Sequence, residues 1–114
     1  MNEALQQRNM YEDFNLEQDI LFFKIGTQSL VSFHGNNYNI KKRVSSNLLQ
    51  QYISNPNFFK ISSTCYVNLS KIKTVASGTI YFGTDIPKTK RINVNRRKQS
   101  VIKQLFDNHM SIAR

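Results

Sequence analysis

The chain has 114 residues and a mass of 13.3 kDa, which is the length of a single domain and enough to bury a hydrophobic core. Its composition, with 39% hydrophobic and 11% aromatic residues, excludes a disordered chain, and no apolar run reaches the roughly 18 residues of a membrane span. The net charge of +9 is concentrated between residues 20 and 106, where 14 basic residues face one acidic residue, and such an excess indicates a polyanionic partner, most commonly nucleic acid.

The predicted elements begin after a polar, acidic extension of residues 1–16, which is unlike a secretory signal. DILFFKIG (19–26) is apolar and typical of a strand, and QSLVSFHG (28–35) alternates apolar and polar residues as a half-buried strand does. The turn signal Gly35-Asn36-Asn37 precedes a third strand in GNNYNIKKRV (35–44). This order predicts a hairpin or a meander.

A short helix is predicted next, because apolar residues recur at helical spacing after a capping Ser45 or Ser46. The apolar residues are Leu48, Leu49, Tyr52 and Ile53. Asn55-Pro56-Asn57 ends this helix.

Three strand-like runs follow, at 58–61, 71–75 and 79–82, and RINV (91–94) predicts a last strand. NRRKQSVIKQLFDNHM, which begins at Asn95, predicts a C-terminal helix capped by that residue. Its apolar stripe comprises Val101, Ile102, Leu105 and Phe106.

The fold class predicted from this inventory is mostly β, with short antiparallel strands and two short helices. A parallel sheet is not expected, because strands and helices do not alternate regularly. We predict an extension at 1–16, a folded domain at 17–108 and a tail at 109–114.

The sequence offers little for catalysis. His34 and His109 lie far apart, and a catalytic pair of Cys65 with His34 is disfavoured because Cys65 lies in the apolar run TCYV, where cysteines are usually buried. There is no carboxylate pair in the basic segment, no cluster of metal ligands and no glycine-rich phosphate loop. We therefore expect no enzyme activity, no metal and no cofactor. The single cysteine fits a reducing, cytoplasmic location.

Basic residues cluster in IKKRV (40–44), PKTKRI (87–92) and NVNRRKQS (93–100). In the third cluster Arg96, Arg97 and Lys98 occupy the first turn of the predicted helix, where cations oppose the helix macrodipole. A DNA phosphate or base edge would supply the missing counter-charge. Solvated basic surfaces remain an alternative for the first and third clusters.

The residues in this order resemble the LytTR DNA-binding domain, the output module of LytR/AlgR-type bacterial response regulators. The resemblance covers about residues 17–107 and rests on Asp19-Ile20, on FFKISSTCYVN (58–68) and on Val94-Asn95-Arg96-Arg97. Val67-Asn68-Leu69 followed by Lys71-Ile72 is its most specific part.

The resemblance implies an elongated β-sandwich that reads successive major grooves of double-stranded DNA with loops. Matched by position, ten residues would face DNA, with Arg96 foremost: Thr27, Gln28 and Ser29; Lys60, Ser62 and Ser63; Asn95, Arg96, Arg97 and Lys98. The family often carries His, Arg or Asn where this chain has Ser62 and Ser63, and serines discriminate bases less well. Asn68 matches a structural position.

The resemblance also implies a transcription regulator, which we expect to act as a homodimer on paired half-sites. Residues 1–16 are too short for a phosphoacceptor domain, so the chain is expected to be a stand-alone regulator or an isolated output domain, controlled by dimerisation, abundance or a regulatory protein partner.

Two other functions remain open at this point. A single-stranded nucleic-acid or RNA-binding module would stack bases on exposed aromatic residues, and it would require Tyr38, Tyr81 and Phe82 on one exposed face. A protein-interaction adaptor would show no DNA affinity at moderate salt.

Overall fold

The computed structural model describes residues 15–85 and 87–113, with side chains described up to residue 108. The predicted extension at 1–16 therefore lies almost wholly outside the described residues. Within them the helices are α1 (Leu16–Asp19), α2 (Ser46–Ile53) and α3 (Arg96–Ala113), and short 3-10 turns occur at Thr27–Ser29 and Leu69–Lys71. The strands are β1 (Ile20–Ile25), β2 (Leu30–Gly35), β3 (Asn39–Arg43), β4 (Phe58–Lys60), β5 (Cys65–Asn68), β6 (Thr74–Ala76), β7 (Thr79–Tyr81) and β8 (Arg91–Asn93).

The larger sheet has five antiparallel strands in the order β3-β2-β1-β5-β4. The central strand β1 buries both of its faces, which explains why four consecutive apolar residues, 20–23, begin it. Strand β2 alternates half-buried and buried residues over its whole length, as its sequence predicts.

Helix α2 covers one face of the larger sheet. Ser45 caps it by accepting a hydrogen bond from the Leu48 amide at 3.2 Å, and the predicted apolar stripe packs on the sheet. The Phe23 ring lies at the centre of this core, stacked on Tyr66 at 5.1 Å between ring centroids. The buried members are Ile20, Phe23, Val31, Phe33, Val44, Phe58 and Tyr66.

The smaller sheet, in the order β6-β7-β8, packs with α3 against the opposite face and completes a sandwich. Ile102 of α3 is fully buried there. The second core contains Leu21, Phe22, Ile61, Cys65, Val67, Ile72, Val75, Ile80, Phe82 and Ile102. The predicted fold class, mostly β with antiparallel strands, is thus confirmed.

Asn68 is a fully buried polar residue that joins distant parts of the chain. Its Nδ2 donates to the backbone oxygens of Glu17 and Ile20 at 2.8 and 2.9 Å, and its Oδ1 accepts from the Ser70 amide and hydroxyl at 3.1 and 2.7 Å. The amide therefore fixes the start of β1 to the end of β5, which agrees with the structural role expected for this residue.

Besides the number of helices, which is three in the described residues where two were predicted, three sequence expectations differ from the structure. Strand β5 was not predicted as a separate element, although it pairs with both β1 and β4. The run predicted at 71–75 is a strand only from Thr74, because Leu69–Lys71 forms a 3-10 turn. Val101 is 41% exposed, whereas the predicted apolar stripe placed it in the core. The predicted domain boundaries at residues 16 and 108 stay a prediction. The backbone of α3 continues beyond residue 108, to Ala113.

Candidate nucleic-acid interface

Two of the predicted loops leave the larger sheet at the same end. The first loop (26–29) follows β1, and the second loop (61–64) precedes β5, which is antiparallel to β1. The Ile25 amide donates to the Thr64 oxygen at 2.8 Å, so the two loops are direct neighbours. We call this end of the sheet the loop end and the other, which carries the β2–β3 turn and Asn68, the hairpin end.

The third loop (94–98) lies beside the second loop and comprises Val94 and Asn95, which connect β8 to α3, together with the first turn of α3 at 96–98. An open cleft of about 400 Å³ is lined by Ser62 and Thr64 from one side and by Asn93 and Asn95 from the other. In addition, Lys98 Nζ lies 5.5 Å from the centroid of the Phe59 ring on β4. The fold therefore brings all three predicted loops together, and a single partner at the loop end can reach them all.

The first loop has a strained backbone. Gln28 and Ser29 both adopt left-handed conformations, with φ angles of 55° and 63°, which L-residues other than glycine rarely occupy. Two contacts hold them: Arg43 Nη1, at the end of β3, donates to the Gln28 oxygen at 2.8 Å, and the amide of Val44, the next residue, donates to the Ser29 oxygen at 2.9 Å. Such strain is common where a backbone must present side chains to a partner.

The second loop is a tight turn closed by a hydrogen bond from the Ile61 amide to the Cys65 oxygen at 2.9 Å. Ile61 is buried and anchors the turn, while Lys60, Ser62 and Ser63 are exposed. The small polar side chains thus stand at the surface without bulk that would block a close approach of a partner.

Asn95 caps α3, as predicted. Its Oδ1 accepts from the Lys98 amide at 2.7 Å, so this oxygen serves the helix, and the Nδ2 group remains the side chain's donor. Arg96 and Arg97 are exposed in the first turn, and Lys98 is half-buried. The turn is held by the Gly78 amide, which donates to Gln99 Oε1.

Sequence reasoning did not single out Arg43 as a residue of this site. The sequence shows it only as part of a basic run, and its position beside the first loop follows from the register of β3 on β2, in which Leu30 pairs with Arg43. No local signal in the sequence gives that register.

The described residues do not bring a catalytic pair together. Cys65 is buried, and burial raises the pKa of its thiol to about 11. The His34 ring stacks on Phe22 at 4.4 Å between ring centroids, and its Nε2 lies 3.2 Å from Ser32 Oγ. Among residues 15–85 and 87–108 no group of three or more His, Cys, Asp or Glu side chains could hold a metal ion.

The aromatic residues required for base stacking do not share an exposed face. Phe82 is buried in the core between the sheets, and Tyr81 is half-buried with the Arg91 guanidinium 5.5 Å from its ring centroid. Tyr38 is 37% exposed, at the hairpin end. The structure thus lacks the stacking surface that a single-strand-binding function would need from these residues.

No helix in the described part of the chain is long and apolar enough to cross a membrane. Taken together, the fold and the three loops define a small two-sheet module that presents exposed basic and amide side chains at one end.

Comparison with known proteins identifies the class of this module. Residues 15–107 match the LytTr DNA-binding domain family, so the chain belongs to that family of DNA-binding domains, which is not a family of enzymes. Its role is accordingly that of a DNA-binding module in transcription regulation, and DNA is its partner.

A solved structure shares the fold. It is the LytTr DNA-binding domain of a putative methyl-accepting/DNA response regulator from Bacillus cereus, with 13% sequence identity and a TM-score of 0.50 over 76% of this chain and 80% of that chain. No curated protein matches the sequence.

Proposed function

We propose that this protein is a sequence-specific transcription regulator that binds double-stranded DNA by reading successive major grooves with its three loops. The observation that carries the proposal is the convergence of the first, second and third loops at the loop end. Loops that lie side by side on one end can follow one face of a duplex, whereas loops on different sides could not.

Among the side chains at these loops, some are suited to reading bases and others to binding phosphates. Arg96 is exposed at the start of α3, and an arginine fork can bond the O6 and N7 edge of guanine. Ser62 and Ser63 offer hydroxyls that bind phosphates or bases with less discrimination. Thr27, Gln28 and Ser29 are exposed on the first loop and complete the surface.

One module of this size buries limited surface, so we propose that it binds as a homodimer on paired half-sites. A regulatory protein partner and a cytoplasmic location belong to the same proposal. Selection of bound sequences from random duplex DNA tests it directly, because a repeated motif would give the site and the half-site spacing. Absence of any enriched motif would contradict sequence-specific reading.

Arg96 provides the sharpest single-residue test. We expect Arg96→Ala to weaken binding to the selected site by roughly 1–3 kcal/mol, because a bidentate base contact is lost. Lys103→Ala is the matched control, since Lys103 is an exposed cation on the same helix, about 10 Å further along its axis. Equal losses in the two variants would assign Arg96 a general electrostatic role only.

A competition between duplex and single-stranded DNA separates this proposal from the alternatives. A regulator of the proposed type prefers the duplex and loses affinity steeply as salt rises. A single-strand-binding module would prefer the single strand, and an adaptor would bind neither at moderate salt.

A further inference from the structure

Two lysines lie in a row across the larger sheet, outside the three loops. Lys24 on β1 pairs with Ser32 on β2, and Ser32 pairs with Lys41 on β3. Directly paired residues share a face of a sheet, and neighbouring strands are about 4.8 Å apart, so the two lysine backbones are roughly 10 Å apart. Both lysines are exposed, and we call this row the lysine ladder (Lys24, Ser32, Lys41).

The lysine ladder is continuous with the proposed DNA-reading surface. Its three residues line a shallow depression of about 280 Å³ together with Gly26 of the first loop and Thr64 of the second loop. A partner bound at the loop end can therefore also contact the lysine ladder.

The part of the chain that forms and borders the ladder, residues 20–84, has no negatively charged side chain. Residues 20–84 contain seven Lys or Arg and no Asp or Glu, so neither the strands nor the loops that border the ladder supply a carboxylate. The positive field also reaches His34, whose pKa is lowered first by burial and then by Lys90, with smaller effects of Lys24 and Lys41. An anion at the ladder would offset the mutual repulsion of Lys24 and Lys41.

We propose that Lys24 and Lys41 bind phosphates of the DNA backbone beside the stretch that the loops read, while the Ser32 hydroxyl between them donates to the Lys24 backbone oxygen at 3.5 Å. This inference rests on the proposed function. A flat sheet face does not enter a DNA groove. The long side chains of Lys24 and Lys41 can nevertheless reach phosphates at the border of that groove. Lysine is a point charge without the planar fork that recognises bases, so the contact is independent of sequence.

The test is a double substitution, Lys24→Gln with Lys41→Gln, with affinity for the selected duplex measured over a range of salt concentrations. Each lost phosphate contact lowers the slope of log K against log salt by about 0.9, so we expect the slope to fall by nearly 2. The base preference should not change. Lys24→Arg with Lys41→Arg should retain the slope of the native protein.

The matched control is Lys71→Gln with Lys73→Gln, which removes the same charge at the hairpin end, where these lysines lie near Asp19 and Tyr38. It should leave the slope unchanged. Equal slope changes in both double variants, an unchanged slope in the ladder variant, or an altered base preference would overturn the inference while leaving the proposed function intact. Failure of the native protein to bind duplex DNA would overturn both.

A second measurement does not depend on the folding of a variant at the ladder. His109→Gln leaves His34 as the remaining histidine, and NMR titration then reports its pKa with and without the selected duplex. His34 Nε2 is 3.2 Å from the Ser32 hydroxyl, so phosphates at the ladder should raise that pKa. An unchanged or lower pKa in the bound state would contradict the inference.

Discussion

The Cys65 thiol lies at the first position of β5, directly after the second loop, yet it is shielded from solvent. Because burial raises its pKa from 9.0 to about 11, the reactive thiolate is scarce in the folded protein. We expect alkylation by iodoacetamide at pH 8 to be at least ~100-fold slower in the folded protein than in denaturant, which mass spectrometry can follow. Equal rates in the two states would show that the thiol is accessible and reactive.

Asn68 allows a prediction on stability. Replacement by Leu leaves the Ile20 oxygen, which the side chain reaches inside the core, without its partner, and an unsatisfied buried group costs about 1–3 kcal/mol. We expect Asn68→Leu to lower the free energy of unfolding by roughly 3 kcal/mol, as measured by urea denaturation. Asn47→Ala, at an exposed position of α2, should change it by less than ~0.5 kcal/mol. Similar small effects of both substitutions would contradict the role given to Asn68.

At the scale of elements, the first loop depends on β3 for its conformation. We expect Arg43→Lys to loosen the loop, because a lysine lacks the planar guanidinium that bonds the Gln28 oxygen. The Val44 amide, which bonds the Ser29 oxygen, should then exchange its hydrogen faster, and affinity for the selected duplex should fall. Arg97→Lys, on an exposed residue of α3, is the control for the exchange measurement. Unchanged exchange at Val44 in the Arg43 variant would show that the loop holds its shape alone.

Elements with a strong local pattern could be predicted from sequence. The alternation in β2 and the capped, periodic helix α2 follow directly from the order of residues. Strand β5 could not be recognised in the same way, because it has only four residues and all four are buried. Without alternation, only its pairing with β1 and β4 identifies it as a strand, and that pairing is a long-range property.

The residues of the candidate site also divide into those that the sequence could predict and those that it could not. The ten predicted residues came from a family resemblance, and their function stays a proposal. Arg43, Lys24 and Lys41 depend on strand register, which a single sequence does not reveal. Helical spacing assigned Val101 to the core. Helix α3 packs on two short elements, the 3-10 turn Leu69–Lys71 and β6. The buried stripe of α3 is therefore narrower than the pattern predicted, and Val101 lies outside it.

At the scale of the whole molecule, the charge distribution is uneven along the sheet. At the hairpin end the carboxylates of Glu17 and Asp19 offset the charges of Lys71 and Lys73, whereas the three loops carry cations and hydroxyls and no carboxylate. A field of this kind orients a protein as it approaches a polyanion, and it raises the rate of productive encounters at low salt. The field would therefore turn toward DNA the same loops to which the proposal assigns it.

The position of α1 has a practical consequence for engineering. Asn68 fastens the backbone at Glu17 and Ile20 to the end of the molecule remote from the loops. A fluorescent protein or affinity tag that replaced residues 1–14 and was joined directly to Asn15 would consequently start at the hairpin end, remote from the loops to which the proposal assigns DNA.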